Sequence, residues 1–318
     1  RTDCAVLVID CTLPLGDCEK QLISIFKEKN IPFIIAKNKA DLLTDIPKEE
    51  GAVYVSAKEK TGIEEFKNAV AKLTETDTMT MKLVGDLIKP DDMVVLVTPI
   101  DSAAPKGRLI LPQQQAIRDV LEANACAVVV RETELSGVLG RIEKPALVIT
   151  DSQAFAIVSK DTPEDIPLTS FSILMARYKG FLDAAVKGVK AIDDLKDGDK
   201  VLISEGCTHH RQCGDIGSVK LPNWLKEYTG KNLEIVLSSG HGFPEELSDF
   251  ALCIHCGGCM LGSKELTYRM KCACDAGVPF TNYGIAIAYM KGILKRSIGV
   301  LPHLVKELED HNGGQRTY

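Results

Sequence analysis

The sequence has no long basic run, and its 318 residues carry a net charge of −6. That balance argues against nucleic acid or an anionic membrane surface as the main partner. It has no apolar run of the length a membrane-spanning helix needs, and no signal peptide. The chain opens at Arg1 rather than at a methionine, and these absences together predict a soluble, cytoplasmic fragment. Its eleven cysteines sit in an otherwise ordinary globular composition, which excludes a small secreted disulfide scaffold. What is present is a hydrophobic fraction of 45%, enough for well-filled cores in two or three domains.

Short β-branched runs alternate with helical stretches, the pattern of parallel-sheet α/β domains. "CAVLVID", "PFIIAKN" and "AVYVSAK" read as buried strands, with helices at "LISIFKEKN" and "GIEEFKNAVAKL". The polar stretch "TETDTMTMK" suits a linker near residues 74–82. A second unit runs through "MVVLVTP", the helix "QQQAIRDVLEANA", "AVVVRE", "ALVITDS" and the helix "LTSFSILMARYKG". "KGVKAIDDLKDGDK" reads as a charged connection over 187–200. A third unit holds "KVLISEG", the amphipathic "VKLPNWLKEY", "EIVLSSG", "FALCIHC" and a helix from Lys264. The expected fold is α/β, with three consecutive domains at 1–76, 79–186 and 190–318. The last two carry mainly parallel sheets.

Seven of the cysteines crowd into the last third of the chain, at positions 207, 213, 253, 256, 259, 272 and 274. Cys207 and His209 follow "KVLISEG", His241 follows "EIVLSSG", and His255-Cys256-Gly257-Gly258-Cys259 follows "FALCI". If those strands are parallel neighbours, a C-x-H half and an H-C-x-x-C half emerge at one edge of one sheet, where α/β sheets gather ligands. The two glycines of C-G-G-C let the backbone curl and aim N–H groups at sulfur. Four readings fit this spacing: structural zinc, a C-x-x-C redox pair, inert packing cysteines, and an iron–sulfur cluster. The redox pair leaves Cys207 and the histidines without a task. The cluster reading uses three cysteines and leaves one iron for a weak, replaceable ligand. His209, His255 and Asp101, which follows "MVVLVTPI", are the candidates for that position. Asp101 also suits a cap on the turn "DSAAPKG", and His255 a donor that orients the site. Cys253, Cys272 and Cys274 read as core residues, Cys4, Cys11, Cys18 and Cys126 as packing or surface cysteines, and His303 and His311 as solvated groups of a polar tail.

Near the start, "NKAD" directly follows one strand and "SAK" the next. Asp41 there accepts hydrogen bonds from the ring N–H and exocyclic amine of guanine, which adenine cannot offer. Asn38 and Lys39 brace such a pocket, the Ala57 amide meets the guanine carbonyl, and Ser56 and Lys58 complete the second motif. Yet G-x-x-x-x-G-K-[ST] occurs nowhere in the sequence, so the phosphate cradle that accompanies these parts is missing. The first domain therefore reads as an incomplete P-loop GTPase domain.

These motifs together resemble one family, the FeFe-hydrogenase maturation GTPases, HydF. The resemblance rests most on Cys207-Thr208-His209 with His255-Cys256-Gly257-Gly258-Cys259, and also on "PIDSAAPKGRLILPQQQAIRD" and "EGCTHHRQCGDIGSVKLPNW". It implies a GTP-binding, a dimerisation and a cluster-binding domain, with a homodimer formed through the middle one. It further implies a 4Fe–4S cluster, GTP with Mg in the intact protein, and a transient two-iron precursor. That precursor is assembled by the radical-SAM enzymes HydE and HydG and delivered to the hydrogenase apoprotein. The missing P-loop leaves this chain without the parts for GTP hydrolysis. The rival expectation is a zinc-stabilised regulatory GTPase with no assembly role.

Overall fold

The computed structural model describes residues 4–47, 49, 51–74, 82–100, 109–206, 215–240 and 242–310. Contacts divide the chain into two units, Arg1–Met81 and Lys82–Tyr318. The α/β expectation is met, and among the described residues every pair of neighbouring strands is parallel.

The first unit is a three-stranded sheet in the order β1-β2-β3, with β1 at Ala5–Asp10, β2 at Phe33–Asn38 and β3 at Ala52–Tyr54. Helices Asp17–Glu28 and Ile63–Thr74 complete it. Leu7, Ile34, Ala36, Ala40 and Val55 form its small core. Val6 and Val8, on the other face of β1, remain exposed, as alternation along a half-covered edge strand requires.

The second unit contains two four-stranded sheets. One has the order β5-β4-β6-β7, from β4 (Met93–Val97), β5 (Cys126–Val130), β6 (Leu147–Thr150) and β7 (Leu168–Ser170). The other has the order β11-β10-β8-β9, from β8 (Lys200–Glu205), β9 (Glu234–Ser239), β10 (Phe250–His255) and β11 (Phe280–Asn282). The central strands are uniformly apolar because helices cover both faces; Val94 to Val97 and Val201 to Ile203 are wholly buried. β5 is an edge strand, and Cys126 and Val129 on it are exposed.

Two stretches differ from their sequence reading. "LTSFSILMARYKG" begins as β7 rather than as helix, and Ser170 ends the strand and caps the helix Phe171–Tyr178 by accepting from the Ile173 N–H at 3.2 Å. Asn282 does the same at the end of β11, accepting from Ile285 N–H at 2.9 Å and starting helix Tyr283–Met290. Both strands are three residues long, too short for an alternation pattern to register. The charged connection over 187–200 contains a 3-10 helix, Val189–Asp194, that buries Val189, Ala191 and Ile192 in the core of the second sheet. Its apolar residues carry the packing, and the charges around them face outward.

The two capped helices pack on each other where Gly284 meets Ser172; a Cβ at Gly284 would lie 2.3 Å from the Ser172 Cβ. Asn282 Nδ2 donates to Ser172 O at 3.3 Å, and Ser152 and Ser172 share a hydroxyl hydrogen bond of 2.9 Å. Arg296 donates to the carbonyls of Ser159, Thr162 and Pro163, each at 2.7 Å, adding a second tie between the sheets. Gly188 ends helix Leu182–Gly188 against β11, where an added Cβ would fall 2.3 Å from Phe280 O and 2.7 Å from Phe280 N. Neither backbone atom can yield. Gly188→Ala is expected to destabilise the second unit by about 1–3 kcal/mol, read as a lowered urea midpoint at unchanged m-value.

Candidate functional site

The parallel pairing of β8, β9 and β10 carries three chain segments out at one sheet edge, with Glu205 beside Ser239 and His255 beside Ser204. Cys256 is the first residue past β10, and its N–H donates to Ser204 O at 2.8 Å. Its Sγ accepts from the backbone N–H groups of Gly206, at 3.1 Å, and Gly258, at 3.4 Å. Two N–H donors aimed at one sulfur favour its thiolate, the form that binds metal. Gly258 adopts φ +62°, and an added Cβ there would press on the Leu266 side chain at 2.4 Å. The turn therefore takes its shape from glycine. The Cys256 sulfur is suited to ligate a metal.

Cys259 is half-buried and packs against the core of the first sheet of its unit, the cluster that includes Leu83, Val84 and Leu96. Lys179, just past the helix that follows β7, donates from Nζ to Leu261 O at 2.8 Å. Burial pulls the Lys179 pKa below the ordinary lysine value, while the Cys259 charge acts in the opposite sense. The cysteine turn is thus built from one sheet and held from the other.

His255 is wholly buried and stacks against Phe280, with ring centroids 6.1 Å apart. Its Nδ1 lies 2.8 Å from Cys256 O, a group that only accepts, so Nδ1 carries the proton. Nε2 then accepts from Arg269 Nη1 at 3.2 Å. Burial lowers the His255 pKa to about 4, so the ring is neutral at pH 7. Arg269, 1% exposed, also donates to Gly240 O at 2.6 Å and Glu265 Oε1 at 2.8 Å, and lies 5.1 Å from the Phe243 ring centroid. One guanidinium therefore joins the turn after β9, the end of β10 and the helix Ser263–Asp275.

At the end of β8, buried Glu205 faces the Tyr283 hydroxyl at 3.5 Å. Burial pushes that phenol far above its ordinary range. Gly217 is wedged between them; a Cβ there would lie 2.2 Å from the Tyr283 Oη. It belongs to the π-helical turn Ile216–Lys220, which Asp215 caps by accepting from Ser218 N–H at 2.9 Å. Sequence reasoning passed over Glu205, Tyr283, Lys179 and Arg269. Only Arg269 left a trace: it sits on the buried stripe Leu266, Arg269, Ala273, where an apolar residue belongs.

Among the expected ligands, His255 ends β10 and Cys256 and Cys259 lie on the turn after it, whereas Asp101, Cys207 and His209 fall outside the described residues, as do Cys213, His241 and His311. Among the described residues no three of His, Cys, Asp and Glu converge in a metal-binding group. Cys253 is wholly buried and its thiol pKa is pushed up by burial, in keeping with a core role. Cys274 is exposed, not core, because it lies off the buried stripe of its helix; Cys272 is partly buried. His303 is exposed but lies on the helix Pro302–Asp310 rather than in a tail.

In the first unit, β2 and β3 run in parallel register with Lys37 opposite Tyr54, so "NKAD" and "SAK" leave the same sheet edge. Asn38 Oδ1 accepts from Ala57 N–H at 3.0 Å, and Asp41 Oδ1 accepts from Ser56 Oγ at 2.5 Å. That hydrogen bond and nearby lysines hold the Asp41 carboxyl below its ordinary pKa. Lys39 takes φ +68° and donates to Asp10 Oδ2 at 2.7 Å, which lowers the Asp10 pKa to about 2. Lys58 is exposed, 3.5 Å from Glu59 Oε1. The two motifs form one edge-facing group whose polar side chains already bond to each other.

Removing Arg269 would take the donor from His255 Nε2 and Gly240 O in a dry site, and an ion pair from Glu265. Arg269→Met is expected to cost about 3–5 kcal/mol, read by urea unfolding. Arg269→Lys should recover little of it, because an ammonium on a single stem cannot span acceptors that a planar fork reaches.

Among the described residues no helix is long and apolar enough to cross a membrane. No curated protein matches the chain. Residues 83–180, which contain the β4–β7 sheet, match the family model of the hydrogen maturase F dimerization domain. Residues 183–300, which contain the β8–β11 sheet, match the hydrogen maturase F tetramerization domain. The first unit falls outside both ranges, and the two matches together span about two-thirds of the chain. The chain is a member of the hydrogen maturase F family, HydF; it carries that family's two oligomerisation domains, and its role lies in hydrogenase maturation.

Proposed function

We propose that this chain is a scaffold and carrier in FeFe-hydrogenase maturation. Cys207, Cys256 and Cys259 would hold a 4Fe–4S cluster, whose incompletely ligated iron supplies a docking point for a two-iron precursor. The precursor would come from the radical-SAM enzymes HydE and HydG and pass to the hydrogenase apoprotein. The observation that carries this reading is the Cys256 Sγ with two backbone N–H donors, at a sheet edge where the segment bearing Cys207 also begins. We assign His255 to positioning, since both of its ring nitrogens already have protein partners. The replaceable fourth position is left to Asp101 or His209, each four residues after the end of a strand in the sequence, β4 and β8. The exposed edge of β5 supports a homodimer formed through the middle domain.

The first unit supports guanine binding through Asn38, Lys39, Asp41, Ser56, Ala57 and Lys58, with GTP and Mg bound in the intact protein. Most affinity for GTP comes from the phosphates and Mg, and the sequence has no Walker cradle for them.

Anaerobic purification tests the reading. A brown chain containing iron and sulfide is expected, and a colourless zinc protein would favour the regulatory alternative. Cys207→Ser, Cys256→Ser and Cys259→Ser should each lose most of the iron after reconstitution; full retention in all three sinks the ligand assignment. This chain should show no steady phosphate release from GTP. Release that Asp41→Asn abolishes would show the nucleotide reading to be wrong.

A further inference from the structure

Lys179 belongs to the first sheet of its unit, yet its ammonium ends at the cysteine turn of the other sheet. It follows the buried helix Phe171–Tyr178, which begins directly at the β7 cap, so its backbone is fixed by the core. The side chain is half-buried, and Nζ donates to Leu261 O at 2.8 Å, two residues past Cys259. Burial lowers its pKa while the Cys259 charge opposes that, its Nζ also lies 5.7 Å from the Tyr178 ring centroid, and among the described residues no ion pair ties it to a carboxylate. A lysine with no carboxylate partner usually lays its stem on apolar surface and keeps its ammonium in water. Here it is bent onto the turn instead.

We propose that Lys179 is the positioning residue through which the dimerization domain holds the cysteine turn and offsets its negative charge. The proposal rests on the cluster reading for its electrostatic part and on the Leu261 contact alone for its positioning part. A nearby fixed cation stabilises the more negative state of an iron–sulfur cluster and raises its reduction potential. It also couples the site to the β4–β7 sheet, so a rearrangement of that domain on assembly would be felt at Cys259.

The test uses the full chain, reconstituted anaerobically, with Lys179→Met and Lys179→Arg as variants. Potentiometric titration followed by electron paramagnetic resonance should give Lys179→Met a more negative midpoint at equal iron content, with Lys179→Arg returned toward wild type. Equal midpoints in wild type and Lys179→Met overturn the proposal. If Lys179→Met no longer holds iron, Lys179→Arg decides: iron kept there supports the role, and iron lost from both overturns it. If the wild type takes up no iron–sulfur cluster, the carrier reading is what fails. Hydrogen exchange of the 257–262 amides in the metal-free chain then reads the positioning role by itself. Several-fold faster exchange in Lys179→Met supports it, and equal rates overturn it.

Discussion

A guanidinium buried beside strand ends must find acceptors for its N–H groups, and Arg269 finds them on three different segments. Where the cysteine turn begins, that requirement acts through His255. With Arg269 on Nε2, the His255 ring keeps its proton on Nδ1 and gives it to Cys256 O, which fixes the peptide just ahead of Gly257. Phe280 covers the ring and Phe243 covers the guanidinium, so water cannot compete for either. The carbonyl of Gly240 is held by the same cation, which brings the turn after β9 into the same arrangement. The Cys256 sulfur is then met by N–H groups from Gly206, after β8, and Gly258, after β10.

The two sheets of the second unit repeat one device at their junction. A three-residue strand, β7 or β11, ends on a side chain that caps the next helix, Ser170 in one case and Asn282 in the other. Because no loop separates strand from helix, the helix direction is set by the strand, and the two helices meet closely enough to require Gly284 at the contact. That rigid junction is what allows a lysine rooted in one sheet to serve a turn rooted in the other. The assignment of separate oligomerisation domains to the two sheets is compatible with this, since β5 and β9 are both edges away from the junction.

The NKAD and SAK group of the first unit is organised differently. Asn38, Asp41, Ser56 and Ala57 are tied to each other by two hydrogen bonds, Asp41 to buried Ser56 and Asn38 to Ala57, and not through a buried cation. Parallel register between β2 and β3 brings their loops to one edge, and the side chains need little else to meet.

The sequence alone determined the parallel α/β architecture, because strands buried on both faces must be uniformly apolar and their crossovers must carry helices. It also determined which motifs share an edge: "NKAD" with "SAK", and the segments after β8, β9 and β10. In parallel sheets every strand's carboxyl end faces the same way. Short strands such as β7 and β11 escaped it, since three residues cannot display a period of two, and so did the buried 3-10 turn at Val189–Asp194, hidden among charges. Only the tertiary structure decided that His255 is neutral with both nitrogens bound and that Arg269 crosses three segments. It alone brought Lys179 across from another sheet, 82 residues away in the chain. A hydrogen bond between groups far apart in sequence leaves no local pattern, and a buried cation is legible only once its acceptors are in place.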